Sequence, residues 1–461
     1  MKRHQQSMLQ GPLFLNIVTY TIPIILTSLL QLLFNAADLV IVGRFCGSIS
    51  VAAVGATGSI TSLVIYLFIG LSVGAGVCMA HAIGRCDEKA MHQTVHTAIL
   101  VAIISGAVLT VVGMICAETF LIWMGTPEEI LPLSTLYMQI FFGGMIFNMV
   151  YNFSAALLRA AGDTKGPLIY LSIAGVANVL LNVMFVTVFQ MNVAGVALAT
   201  TISQVISAVL VVRALMRRSD ACQLTLKKVR IHADPLRQII YKGLPAGIQG
   251  ALFSISNVLI QSAVNSFGDV FMSGSAAASN IEGFVLVSMA ALGQTALNFT
   301  GQNTGAGQYE RVKKIAIICL ASVTVVGVVL GSVTYYFAPQ LLSIYITDSA
   351  QAITYGVERL AFLLLPYFLL GLHEVASGTL RGLGASLSPM VVSVLGICGF
   401  RVLWVETVFK MPQFHTPDWL FVSYPISWAM TFAAELILLI IVYRKFAAKC
   451  RETEVQDHGM E

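Results

Sequence analysis

Apolar positions in this chain gather into long, nearly uncharged runs separated by short polar stretches. Twelve runs approach the roughly 20 residues that cross a bilayer as a helix. They lie near 13–37, 51–79, 93–117, 133–157, 167–189, 193–215, 238–264, 271–298, 312–336, 357–380, 389–409 and 419–443. Runs five and six are parted only by the turn Gln190-Met191-Asn192. Membrane barrels would instead show short alternating segments. The pattern predicts an all-α polytopic membrane protein. Composition agrees: 57% of the 461 residues are hydrophobic and 10% charged, with mean hydropathy +0.84. Soluble domains carry about 25% charged residues.

The net charge of +4 says little, but its placement gives topology. Basic residues mark the cytoplasmic side of a membrane protein. Lys2 and Arg3, Arg85 and Lys89, Arg159 and Lys165 fall in alternate loops. So do Arg213, Arg217, Arg218, Lys227, Lys228, Arg230, Arg237 and Lys242, then Arg311, Lys313, Lys314 and Arg381. The tail adds Arg444, Lys445, Lys449 and Arg451. Of the 26 Lys and Arg, only Arg44, Arg359, Arg401 and Lys410 fall elsewhere. A wrong helix count would scramble this alternation. The expectation is twelve helices with both termini cytoplasmic, in a bacterial plasma (inner) membrane. The short polar start, 1–10, has no small-residue cleavage site, so no signal peptide is expected.

A basic segment near 216–237 separates two sets of six runs. Shifting the chain by 222 residues superimposes them. Pro23 falls on Pro245 and Asn35 on Asn257. Leu158-Arg159 falls on Leu380-Arg381, Gly162 on Gly384 and Pro167 on Pro389. Six helices per half make the repeat parallel, as in the paired halves of some secondary transporters. The expected domains are an N-terminal lobe, 1–215, a linker, 216–237, a C-terminal lobe, 238–443, and a tail, 444–461.

Candidate chemistry starts from Asp38, at the end of the first run. An acid at bilayer depth costs about 2.5–3.5 kcal/mol on insertion scales and usually marks an ion or substrate path. Asp38 can equally sit in an outer loop and meet water, a reading that Arg44 supports. Asn178 and Asn182, four apart, share one helix face; Thr200 and Tyr137 add polar groups on neighbouring runs. Such amides can bind a cation or simply bond across helices. Glu374, before Arg381 in run ten, can be functional or a helix-end residue near the interface, whereas Glu282 follows Ser279 and Asn280, nearer an outer end. Neither these acids nor Asp38 repeats at the 222-residue shift. Pro23 and Pro245 lie inside runs, where proline kinks a helix; the kinks can be hinges or fixed bends. Arg159 and Arg381, at cytoplasmic helix ends with a glycine following, suit topology and capping. The eight cysteines are scattered without a CxxC, so no metal or disulfide framework is indicated. The sequence has no HExxH, no GxSxG and no paired acids at metal spacing, which argues against an enzyme. No cofactor and no nucleic-acid partner are expected.

Several stretches resemble the multidrug and toxic compound extrusion (MATE) transporters of prokaryotic type. They are Asn35-Ala36-Ala37-Asp38 with Val42-Gly43-Arg44, Leu158-Arg159-Ala160-Ala161-Gly162-Asp163 with Pro167, and Gly195 to Thr200. Gly301-Gln302-Asn303-Thr304-Gly305-Ala306-Gly307 with Arg311, and Gly378 to Gly384, complete the set. The resemblance covers nearly the whole chain. It implies twelve helices in two lobes and an antiporter that expels small organic cations against Na+ or H+ by alternating access. It also implies that Asp38, Asn178 and Thr200 belong to a cation site in the N-terminal lobe, with Tyr137 as a further member. Many relatives carry an aspartate where this chain has Asn182, which leaves Asp38 as the one acid of the cluster. A helix-seven acid of one sodium-coupled branch is replaced by Asn257 and Gln261; these two, with Tyr137, Glu282 and Glu374, are candidates for a secondary cation or substrate role. The expected partners are organic cations and membrane lipids, with the protein a monomer. The alternative on the same two-lobe plan is a flippase or exporter of a lipid-linked or metabolite substrate. A flippase for a large anionic headgroup should line its cavity with several Arg or Lys, and only Arg401 lies deep in a run.

Overall fold

The computed structural model describes residues 8–347 and 349–458. Lys2 and Arg3, used above for topology, lie outside the described residues, as do the last residues of the tail, 459–461. Helix follows helix throughout, and no strand occurs among the described residues. In chain order they are α1 (Leu13–Phe45), α2 (Ser48–Gly84), α3 (Glu88–Trp123), α4 (Leu131–Gly143), α5 (Met145–Ala160), α6 (Lys165–Val183) and α7 (Asn192–Met216). The second half gives α8 (Ala233–Asn265), α9 (Asp269–Gly305), α10 (Tyr309–Tyr336), α11 (Ala338–Tyr345), α12 (Ala350–Leu364) and α13 (Tyr367–Gly382). It ends with α14 (Leu387–Ser393), α15 (Phe400–Glu406), α16 (Pro417–Phe421) and α17 (Ser423–His458). Wide π turns, Met184–Val188 and Val394–Gly399, extend α6 and join α14 to α15.

Among the described residues, ten helical spans are long and apolar enough to cross a membrane alone, and two bent pairs pass the same test together. The pairs are α4 with α5, at 48°, and α12 with α13, at 43°. Counting each bent pair as one span gives, among the described residues, the twelve that the apolar runs predict. The bends interrupt runs four and ten, which the sequence reads as continuous. They fall at Gly144 and Pro366, positions that match under the 222-residue shift. Glycine weakens a helix, and proline removes a backbone donor from it.

The first helix departs from its apolar run. The run ends near 37, yet α1 continues to Phe45, with Arg44 in its last turn. Asp38 is therefore inside the helix rather than in a loop. Its polarity did not end the helix, because backbone bonding is local and indifferent to one acid.

The repeated Leu-Arg-x-x-Gly is a helix stop. Gly162 and Gly384 have φ of 85° and 92°, a left-handed conformation that only glycine adopts freely. Gly162 N–H donates to Arg159 O and Asp163 N–H to Leu158 O, each at 2.9 Å. In the second half Gly384 N–H donates to Arg381 O at 2.9 Å and Ala385 N–H to Leu380 O at 3.0 Å. These paired bonds satisfy the last carbonyls of α5 and α13.

The chain divides into two compact units. One holds Ile22–Ala251; the other holds residues 8–21 with 252–458. α1 and α8 therefore each contribute to both units, and Pro23 lies two residues past the point where α1 changes unit. Both helices run unbroken through their prolines.

The first unit has a core of small, aliphatic and aromatic side chains from α2, α3, α4, α5 and α7, including Ala75, Met79, Val95, Phe142, Phe153 and Val211. Its helices meet closely where small residues line up: a Cβ on Gly70 would stand 2.1 Å from Gly247 N. Close approach of this kind is how helices pack where burial from water gives no drive. The basic segment after α7 is docked on α3. Leu224 N–H donates to Leu215 O at 3.2 Å, Thr225 N–H to His96 Nε2 at 3.1 Å, and His232 N–H to Thr97 Oγ1 at 3.1 Å. In the second unit α9 and α13 touch at Gly378, where an added Cβ would meet Gly293 O at 2.3 Å.

Candidate functional site

The polar cluster of the first unit is assembled by three helices. On α6, Asn178 and Asn182 stand one turn apart, and Asn182 Nδ2 donates to Asn178 Oδ1 at 3.2 Å. α7 brings Thr200, whose Oγ1 accepts from Asn178 Nδ2 at 3.3 Å. α1 brings Asp38. Asn182 Nδ2 donates to Asp38 Oδ1 at 2.5 Å, and Thr200 Oγ1 lies 3.3 Å from Asp38 Oδ2. The Thr200 hydroxyl is also 3.0 Å from Val196 O, so its one proton serves one acceptor at a time. Asn178 and Asn182 are buried, and Asp38 is half-buried. Asn182 Oδ1 has no hydrogen-bond donor among the described residues.

Tyr137 borders this cluster. It packs with Ile41, Val42, Val186 and Val196, and its ring stacks on Phe141 at 6.1 Å. The arrangement offers one carboxylate and three neutral oxygens, from Asn178, Asn182 and Thr200. Oxygen donors suit hard cations, and the carboxylate alone can take a proton.

The other candidates lie elsewhere. Glu282, read from sequence as near an outer end, is buried and forms a two-pronged ion pair with Arg359. Arg359 Nε donates to Glu282 Oε1 at 2.9 Å, Nη2 to Oε2 at 3.2 Å, and Nη1 to Ser275 Oγ at 2.7 Å. Glu374 is only partly buried, and its backbone abuts Gly293. Asn257 and Gln261 are exposed, and Gln261 Nε2 donates to Asn265 Oδ1 at 2.9 Å on its own helix. Pro23 O accepts from Thr27 Oγ1 at 2.6 Å.

The sequence reading missed Glu435, His373 and Ser393. All three are fully buried. Glu435 Oε2 lies 2.9 Å from His373 Nδ1, and Ser393 Oγ donates to Glu435 Oε1 at 3.0 Å. The signal was present: Glu435 is an acid inside the last apolar run, as Asp38 closes the first.

Long apolar helices in two units, with one carboxylate set among buried amides, describe a polytopic membrane protein. The family model MatE matches residues 23–184 and 245–404, most of the chain and both halves of its repeat. The chain belongs to the MatE family of transporters. It is 28% identical over 443 residues to the probable multidrug resistance protein YoeA of Bacillus subtilis (strain 168), covering 94% of each chain. The probable multidrug resistance protein YpnP of the same organism is 28% identical over 392 residues, 85% of this chain and 87% of its own. Among solved structures, the fold is similar to an outward-facing multidrug resistance MATE transporter of the MOP superfamily. The TM-score is 0.88 at 19% identity, over 97% of this chain and 99% of that one.

Proposed function

We propose that the protein is a secondary antiporter that exports organic cations in exchange for Na+ or H+ by alternating access. Asp38 is the coupling carboxylate, with Asn178, Asn182 and Thr200 as its neutral partners and Tyr137 at the edge. The observation that carries this is the contact of Asp38 with Asn182 and Thr200: one acid held by groups that can ligate but cannot titrate. An ion reaching this cluster neutralises Asp38, and α1 then bends near Pro23, with Pro245 its counterpart in α8. One charge moving through 100 mV supplies about 2.3 kcal/mol, enough to drive uphill export. The similarity to YoeA and YpnP, probable multidrug resistance proteins, supports the substrate class. The alternation of basic loops supports cytoplasmic termini in a bacterial inner membrane, and the 222-residue repeat supports two lobes, 1–215 and 238–443, joined by the linker 216–237 and followed by the tail 444–461.

The test is ethidium efflux from proteoliposomes under a sodium or a proton gradient, for wild type and Asp38→Asn. Efflux driven by one gradient and lost at least tenfold in the variant names the coupling ion. Full transport by Asp38→Asn would end the assignment.

A further inference from the structure

The second unit buries two arginines, Arg359 and Arg401. Arg359, from α12, takes both oxygens of Glu282, as above. Arg401, from α15, has no such partner among the described residues. Its Nε donates to Ser427 Oγ at 2.9 Å, and Nη2 meets no acceptor among the described residues. Only 5% of Arg401 is exposed. Its guanidinium carbon lies 4.0 Å from the centre of the Tyr424 ring and 5.5 Å from that of Trp428. Tyr367 stands edge-on to Trp428 at 5.4 Å. Arg359 lies over the Phe421 ring at 5.5 Å, so aromatic side chains face both guanidinium groups, while Glu282 compensates Arg359 alone.

Aromatic rings cover the guanidinium faces, and a cation–π contact there offsets part of the desolvation. They leave the N–H edge, which is the part shaped for a carboxylate. A buried, uncompensated charge at membrane depth is kept only for a role. We infer that Arg401 is the anchor of a binding site in the second unit for the carboxylate of an aromatic acid or amphoteric compound, with Tyr424, Trp428 and Tyr367 lining its apolar part. This site is independent of Asp38 and goes beyond the export of organic cations.

The test is calorimetric titration of the purified full-length protein in detergent with phenylacetate, 2-phenylethanol and inorganic phosphate. The expected result is saturable binding of phenylacetate alone, at least tenfold weaker in Arg401→Gln and unchanged in Asp38→Asn. Absence of phenylacetate binding to the wild type, equal binding by Arg401→Gln, or equal binding of phenylethanol would overturn the proposal. Phosphate binding as tightly as phenylacetate would overturn the aromatic-acid assignment in favour of a simple oxyanion site. If Arg401→Gln does not fold, Arg401→Lys is read instead. It keeps the charge but loses the fork, so at least threefold weaker binding is expected, and unchanged binding overturns the proposal.

Discussion

The side-chain amide of Asn182 donates to Asp38 Oδ1 at 2.5 Å, tying α6 to α1. Asn182→Asp turns that donor into a second acceptor. Two carboxylates at this distance hold together only around a shared proton, and they titrate as a pair. Efflux by Asn182→Asp should become steeper in pH. Proteoliposome efflux measured across pH 5.5–8.5 at fixed sodium checks this, and a profile identical to wild type would contradict it.

The buried pair Arg359–Glu282 gives a stability prediction. Removing one partner leaves a buried charge alone, which costs about 3–5 kcal/mol. Glu282→Gln should lower the unfolding temperature markedly in detergent. The double variant Glu282→Gln/Arg359→Met should recover most of the loss, because no charge is then stranded. Thermal unfolding followed by size exclusion reads both, and equal losses in the single and double variants would refute the coupling.

Helix contact at Gly378 makes a sharper steric case. A methyl group there would stand 2.3 Å from Gly293 O, so α9 and α13 must separate. Gly378→Ala should cost about 1–3 kcal/mol, as overpacking does, and reduce the folded yield. Gly143, whose Cβ would meet nothing within 4 Å, serves as the control. Gly143→Ala should behave as wild type in the same unfolding assay.

Cys222 lies in the docked segment after α7, where burial pushes its thiol from the ordinary 9.0 up to about 12. The thiolate is the reactive form. Maleimide at pH 7–9 should therefore label exposed Cys86 and leave Cys222 unlabelled until the protein unfolds. The sign for stability follows from proton counting. Between about pH 9 and 12 the unfolded segment has released a proton that the docked one still holds, so docking weakens as pH rises. Cys222→Ala should remove that part of the pH dependence, measured by hydrogen exchange of the segment 217–232. Labelling of Cys222 at the rate of Cys86 in folded protein would contradict the burial argument.

What the sequence determined by itself was everything set by local or summed physics. Apolar run length gives the spans, because a helix crossing lipid must satisfy its backbone within itself. Basic residues give the alternation of loops, and the shift of 222 residues gives the repeat. The helix stops at Gly162 and Gly384 were legible because capping uses only residues near in sequence. Asn178 and Asn182 were legible as neighbours because one turn separates them. Tertiary structure decided the partners. Glu282 and Arg359 are 77 residues apart, and His373 and Glu435 are 62 apart. Which face of each helix turns inward there depends on packing against helices that no local pattern names. The reach of α1 past Asp38 to Phe45 was hidden for a related reason. A polar residue ends an apolar run on paper, but a helix ends only where its backbone bonds do.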